Sequence, residues 1–301
     1  MHSKVEESDL PSDCRQKVSF SQFSMFQTCN RKYKYAYVDG LRTYENTIHT
    51  VFGTAMHEAI QAYVSLLYTK GAHEADTLDL YQIMFDKMKI LVDECNKTTV
   101  ILSKEEVQEF LNDGKQIIDW ITLPVNRTNY FPSRVYELIG IEVPLEIELK
   151  NNLKYVGFLD IVLKDKKTGN IKILDLKTST KGWSKWVEKD TAKTDQLILY
   201  KKFYSELHNV PLDNIDVEFI ILKRQLYEGV QFKQSRASVF TPPNGSSSIR
   251  KTQNRFNAFL DNCFNTAGEY ITNGKNYPKT CGKHCEWCEF RPVYCNGKPD
   301  K

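Results

Sequence analysis

Nowhere in the 301 residues do about eighteen apolar side chains run uninterrupted, so no segment reads as a membrane-spanning helix. A strong charge of one sign is missing too. The 41 Lys and Arg stand against 38 Asp and Glu, leaving +3. That excludes a histone-like polycation, and contact with nucleic acid must come from a local patch rather than the field of the whole chain. Internal repeats are absent, and no low-complexity tract exceeds Thr241-Pro-Pro-Asn-Gly-Ser-Ser-Ser. No G-x-x-x-x-G-K-[ST] loop occurs, which leaves out an ATP-driven motor of the P-loop kind. The opening residues, Met-His-Ser-Lys-Val-Glu-Glu-Ser-Asp, are too charged for a secretory signal. A cytoplasmic protein is expected.

What is present is an ordinary globular composition, 41% hydrophobic and 26% charged, in a chain long enough for a sizeable core. Ser19-Phe-Ser-Gln22 has the form of a capping box, with Phe23 and Phe26 following at helical spacing. Further helices are predicted over 52–69, 78–94 and 104–121. After Pro132 the texture changes to runs of Ile, Val, Leu and Tyr, which predict strands over 135–149, 154–163 and 170–178. A helix over 188–206, strands over 217–222 and 230–239, and a helix over 250–270 follow. The pattern is α/β or α+β, with a mostly antiparallel sheet. It divides the chain into a flexible 1–18, a body over 19–275 (helical to 132, sheet and helix over 133–240) and a cysteine-rich tail over 276–301.

The sharpest signal lies in the second strand pair. Lys166-Lys-Thr-Gly-Asn170 is turn chemistry, and a turn centred there sets Asp160 opposite Asp175. Opposed like charges in apolar strands destabilise a sheet unless something neutralises them. A divalent cation does so, and carboxylate oxygens suit magnesium or manganese. Lys177, two residues beyond Asp175, projects from the same face. Metal-binding carboxylates beside an ammonium suit phosphodiester hydrolysis. Gly53 and His57 share a helical face, and so do Gln196 and Tyr200. In Gly53 the missing side chain lets another backbone approach, and His57 can ligate a metal.

Eight cysteines need a reason. Cys14, Cys29, Cys95 and Cys263 are scattered, whereas Cys281, Cys285, Cys288 and Cys295 fall within the last 21 residues. Without a secretory signal, clustered cysteines read as metal or cluster ligands rather than disulfides. Cys285, Cys288 and Cys295 have the spacing C-x2-C-x6-C, which suits zinc or an iron–sulfur cluster. Cys281 as the fourth ligand makes a self-contained zinc knuckle. Cys14, Cys95 and Cys263 read as ordinary thiols. Two segments have the texture of a nucleic-acid surface: Arg31 and Lys32 among tyrosines, and the loop holding Trp183, Lys185 and Trp186.

In order, Gly53-x-x-x-His57, Gly157-x-x-Asp160, Asp175-x-Lys177 and Gln196-x-x-x-Tyr200 resemble the motifs of the RecB-type branch of the PD-(D/E)xK nucleases. The resemblance runs over about residues 19 to 295. It implies a restriction-endonuclease-like mixed sheet flanked by helices. It also implies that His57, Asp160, Asp175 and the Leu176 carbonyl bind Mg2+ or Mn2+, that Lys177 positions or activates the attacking water, and that Gln196 and Tyr200 orient the lysine and the DNA backbone. Gln-Thr-Cys29-Asn-Arg-Lys-Tyr resembles the N-terminal cysteine element of AddB-type and CRISPR-associated relatives. That implies a [4Fe–4S] cluster on Cys29, Cys285, Cys288 and Cys295, with structural zinc as the alternative. The function implied is a metal-dependent DNA nuclease, an exonuclease on single-stranded DNA in repair, recombination or phage DNA processing, to which a helicase or recombination protein could be partner, with no membrane. Rival readings are a catalytically idle DNA-binding module and a redox-sensing iron–sulfur protein.

Overall fold

The apolar runs of the second half of the chain build a six-stranded mixed sheet whose two faces carry separate cores. The computed structural model describes residues 16–41, 47–97, 101–291, 293–296 and 298. Cys14 and the stretch 1–15, expected to be flexible, lie outside the described residues. The strands are β1 (Gln16–Val18), β2 (Tyr136–Leu149), β3 (Leu153–Asp165), β4 (Ile171–Ser179), β5 (Ile215–Lys223) and β6 (Ala237–Phe240). Their order is β1-β3-β4-β5-β6, with β2 along the other side of β3. The β2–β3, β3–β4 and β5–β6 pairs are antiparallel, while β1–β3 and β4–β5 are parallel. Residues 16–18, expected to be frayed, are therefore a strand. Three residues carry no period of their own, and only the distant β3 gives them a partner.

The helices are α1 (Phe20–Thr28), α2 (Asn30–Tyr33, continued by a π-turn over Lys34–Val38), α3 (Ile48–Thr69), α4 (Ala72–Ala75), α5 (Leu80–Asn96), α6 (Lys104–Ile121), α7 (Pro124–Tyr130), α8 (Lys185–Glu188), α9 (Thr191–His208) and α10 (Ser246–Cys263). Apolar side chains of α3, α5 and α6 bury one sheet face, through Ile161, Leu174, Leu176 and Ile220. The other face, through Tyr155, Val162, Ile173 and Phe219, is covered by α1, α9 and α10. There Phe23 meets Phe256 at 5.2 Å and Phe26 meets Phe259 at 5.1 Å. Buried Asp195 on α9 accepts from Gln27, Thr252 and Arg255, stitching the three helices together. Among the described residues, no helix is long and apolar enough to cross a membrane.

Several boundaries differ from expectation for identifiable reasons. The Ser19 side chain caps α1 by accepting from the Gln22 N–H, but the Gln22 amide turns away to the Lys17 carbonyl, so only half of the capping box forms. Helix α3 begins before residue 52 because Thr47 and Thr50 make a reciprocal cap. The strand expected over 230–239 shrinks to β6, because Gln234 bonds both backbone groups of Tyr227 and curls the segment into a loop. The helix expected over 250–270 stops at Cys263, and Phe264 instead bridges to Tyr270. Gly268, at φ +87°, makes that return possible: a Cβ there would lie 2.9 Å from the Asn151 carbonyl oxygen.

Candidate active site

Turn arithmetic holds along the β3–β4 hairpin. Pairs run from Lys164–Ile171 to Ile161–Leu174, so the next pair in register is Asp160–Asp175. The ladder stops one step short of it. Instead, the Leu176 N–H donates to Asp160 Oδ2 at 2.7 Å. Asp175 is 1% exposed in a strand buried on both faces. Its Oδ2 lies 2.7 Å from the Lys177 ammonium. The oxygen is buried and, among the described residues, held by that ion pair alone, with no hydrogen bond.

On the other side of β3, Ile141 pairs Ile161 and Val143 pairs Leu159. Glu142 stands between them, opposite Asp160, and leaves the ladder at φ +49°. A non-glycine residue in the left-handed region is strained and marks a site where something else compensates. Gln61, one turn after His57 on α3, donates to the Glu142 carboxylate. His57 Nδ1 lies 3.6 Å from Asp160 Oδ2. Together His57, Glu142 and Asp160 each bring a ligand atom within 4.8 Å of the others. Asp175, predicted as a ligand, stands outside this tight group, whereas Glu142 was not predicted at all.

Two glycines make this approach possible. A Cβ on Gly53 would lie 3.3 Å from Thr178 Oγ1, so its absence lets α3 settle on β4 with His57 over the carboxylates. The neighbour is a side-chain hydroxyl rather than the backbone expected. A Cβ on Gly157 would meet the Tyr155 and Tyr200 rings at 3.2 and 3.3 Å. The Tyr200 hydroxyl accepts from the Gln196 amide at 2.9 Å.

Electrostatics follow from burial. Desolvation, reinforced by the charge of Asp175, pushes the Asp160 carboxyl up to about 8. Burial first, and the Lys177 charge second, lower His57, so its imidazole is neutral at pH 7 and can offer a lone pair. Burial and the same carboxylates raise the Tyr200 phenol. A cluster of hard oxygen donors with one imidazole, beside the buried Asp175 carboxylate, fits Mg2+ or Mn2+.

Two clefts reach this cluster and share Phe20, Ser21 and Gln196. One holds Glu142, Asp160 and Tyr200. The other holds Lys177, Lys193, Lys32 and Trp183. Trp183 packs on Phe219 at 4.9 Å while lining that cleft. Trp186 is 85% exposed, and Lys185 pairs with Glu188. Arg31, predicted to face nucleic acid, instead donates to the Tyr277 carbonyl at 2.7 Å and lines a different recess. Tyr33, two residues on and on the opposite side of the helix, is buried against Phe26 and Phe259.

That recess gathers the cysteines. Cys29 and the tail residues Cys281, Cys285, Cys288 and Cys295 all line it, with Lys32 at its edge. Five soft sulfurs are more than enough for a four-thiolate site. Cys95 and Cys263 are buried in helix-packed cores.

Comparison with known proteins gives a match of residues 17–296 to the family model of the PD-(D/E)XK nuclease superfamily. A search of curated proteins finds no match. Among solved structures, a "putative exonuclease" from Eubacterium rectale superposes with a TM-score of 0.54 at 15% identity, covering 100% of this chain and 97% of that one. At that identity the likeness concerns the fold.

Proposed function

The chain belongs to the PD-(D/E)XK nuclease superfamily, with a restriction-endonuclease-like mixed sheet flanked by helices, and on that premise we propose a divalent-metal-dependent deoxyribonuclease that degrades single-stranded DNA from an end. The observation that carries the reading is the convergence of His57, Glu142 and Asp160 within 4.8 Å, beside Asp175 and its Lys177. His57, Glu142 and Asp160 would hold the metal, with Asp175 and the Leu176 carbonyl completing its surroundings. A divalent ion in this place supplies Lewis-acid polarisation of the phosphate and a more acidic water. Lys177 holds the attacking water or offsets charge gathering on the phosphate oxygens. Gln196 and Tyr200 hold one another in position at the cleft junction and orient the sugar–phosphate backbone. Lys32, Lys193 and Trp183 line the adjoining cleft, where cations meet phosphates and an indole meets bases. Trp186 and Lys185 extend that surface. The RecB-type branch, a cytoplasmic setting and a helicase or recombination partner belong to the same reading.

The test is cleavage of end-labelled single-stranded DNA with Mn2+, Mg2+ or EDTA, comparing wild type with Lys177→Ala. Products are expected only with metal, and at a rate lower by about 10²-fold or more in the variant. Equal products from both proteins sink the assignment of Lys177. Cleavage of covalently closed single-stranded circles as fast as linear strands overturns the end requirement.

For the cysteine recess, the same reading places a [4Fe–4S] cluster on Cys29, Cys285, Cys288 and Cys295, pinning the tail to the start of α2. Support comes from the common recess of these sulfurs and from the C-x2-C-x6-C spacing. Cys288→Ser is expected to purify without the brown colour and acid-labile sulfide of the wild type. Colourless wild-type protein carrying one zinc selects the zinc alternative.

A further inference from the structure

The segment between β5 and β6, residues 224–236, does not enter the chemistry described so far, yet it is held with care. Arg224 is anchored in α6 by Asp113 at 2.7 Å and stacks on Phe110. The Arg236 guanidinium donates to the Arg224 carbonyl at 2.7 Å, so the two ends of the segment are tied together. In its middle, the Gln234 side chain closes a two-way clamp on one residue. It accepts from the Tyr227 N–H at 2.8 Å and donates to the Tyr227 carbonyl at 2.6 Å. Gly229, at φ +71°, turns the chain between them.

This fixes the backbone of a residue whose own ring stays 56% exposed. A single exposed aromatic needs no explanation, but a clamped one is preorganised for contact at small entropic cost. Its neighbour indicates the ligand. Lys181 Nζ lies 5.2 Å from the Tyr227 ring centroid. Lys181 follows Lys177 by four residues, and Trp183, two further on, lines the active-site cleft. Both loops leave the carboxyl ends of the parallel pair β4 and β5, the end at which such sheets bind ligands. A flat ring with an ammonium over one face, on loops that leave the same end of the sheet as the Trp183 loop, matches one repeating unit of a nucleic acid strand: a base to stack on the other face and a phosphate to pair with the ammonium.

Building on the nuclease reading, we propose that Tyr227 and Lys181 form an outlying subsite for an unpaired nucleobase and its phosphate, and that this subsite selects single strands over duplexes. A paired base keeps both faces inside its own stack and offers nothing to Tyr227. The unpaired base stacks freely, and the contact is indifferent to sequence because every base has a π-face.

The test uses the full-length protein and a dye-labelled oligonucleotide, with Ca2+ replacing the catalytic metal so that binding is read without turnover. Tyr227→Ala is expected to weaken single-strand binding about ten-fold, Tyr227→Phe to restore it, and duplex binding to stay unchanged. With an oligonucleotide of abasic sites, wild type and Tyr227→Ala should bind alike. Hydrolysis of a small phosphodiester, thymidine 5′-(p-nitrophenyl phosphate), should be equal in all three proteins, since it engages only the metal site. Undiminished single-strand binding by Tyr227→Ala overturns the subsite, and so does an equal loss on duplex or abasic DNA. A wild type that binds through Tyr227 but hydrolyses no phosphodiester with any metal keeps the subsite and overturns the nuclease reading.

Discussion

Asp160→Asn is expected to give a protein that is nearly inactive and, without metal, more stable than the wild type. Activity should fall by about 10³-fold or more, because the amide removes a charge from the cluster that faces the metal. The stability gain has a different origin. In the folded chain the Asp160 carboxyl is pushed up to about 8, against about 3.9 for an unfolded aspartate. Between those values the native state holds a proton that the unfolded state releases. Stability of the metal-free protein therefore falls as pH rises through that window, and is level below it and above it. The size is on the order of 2–5 kcal/mol across the window. Thermal unfolding in EDTA from pH 5 to 9 reads this directly. The wild type should lose stability steadily up to about pH 8, and Asp160→Asn should lose much less. Parallel curves for the two proteins would mean that Asp160 is ionised at pH 7 in the metal-free fold.

Glu142→Gln is the second large effect. The side chain stands opposite Asp160 and within 4.8 Å of it and of His57, so it is expected to share the ion. Cleavage should drop on the order of 10²-fold, and the Mn2+ concentration for half-maximal rate should rise about ten-fold. Glu137→Gln on the same strand is the control, because Glu137 pairs with Lys164 and the variant should titrate as wild type does. Coincident Mn2+ curves for Glu142→Gln and wild type would remove Glu142 from the ligand set.

That contrast explains what the sequence could and could not reveal. Asp160 and Asp175 were legible because Lys166-Lys-Thr-Gly-Asn170 names its own turn, and a hairpin register then follows by counting. Glu142 was legible in principle by the same count. Asn151 and Asn152, at φ +60° and +54°, make the β2–β3 turn, and counting from it sets residue 142 opposite residue 160. The signal was masked by company: Glu137, Glu146 and Glu148 lie on the same strand, and Glu137 and Glu146 pair with lysines of β3 at its edge. One acid among four gives no hint that it alone comes beside His57 and Asp160. Residues 230–239 misled for the opposite reason. Val230 and Phe232 alternate as a strand does, but the Gln234 clamp on Tyr227 is a contact across seven residues that no local pattern records. Arg31 looked like a phosphate contact because its acceptor, the Tyr277 carbonyl, lies far along the chain where no local pattern records it.

The way α1 is held has a consequence for how the molecule comes into being. Phe20 and Ser21, at the start of α1, line both clefts. Yet α1 rests on Phe256 and Phe259 of α10 and on Ala192 and Asp195 of α9, all far from it in sequence. Pairing β2, β3 and β4 brings Asp160 beside Asp175 through neighbouring strands, whereas α1 is seated only when α9 and α10 are in place. Contacts so far apart in sequence also close slowly. The carboxylates can thus assemble from contacts close in sequence, whereas the walls of the two clefts close only through contacts between segments far apart along the chain.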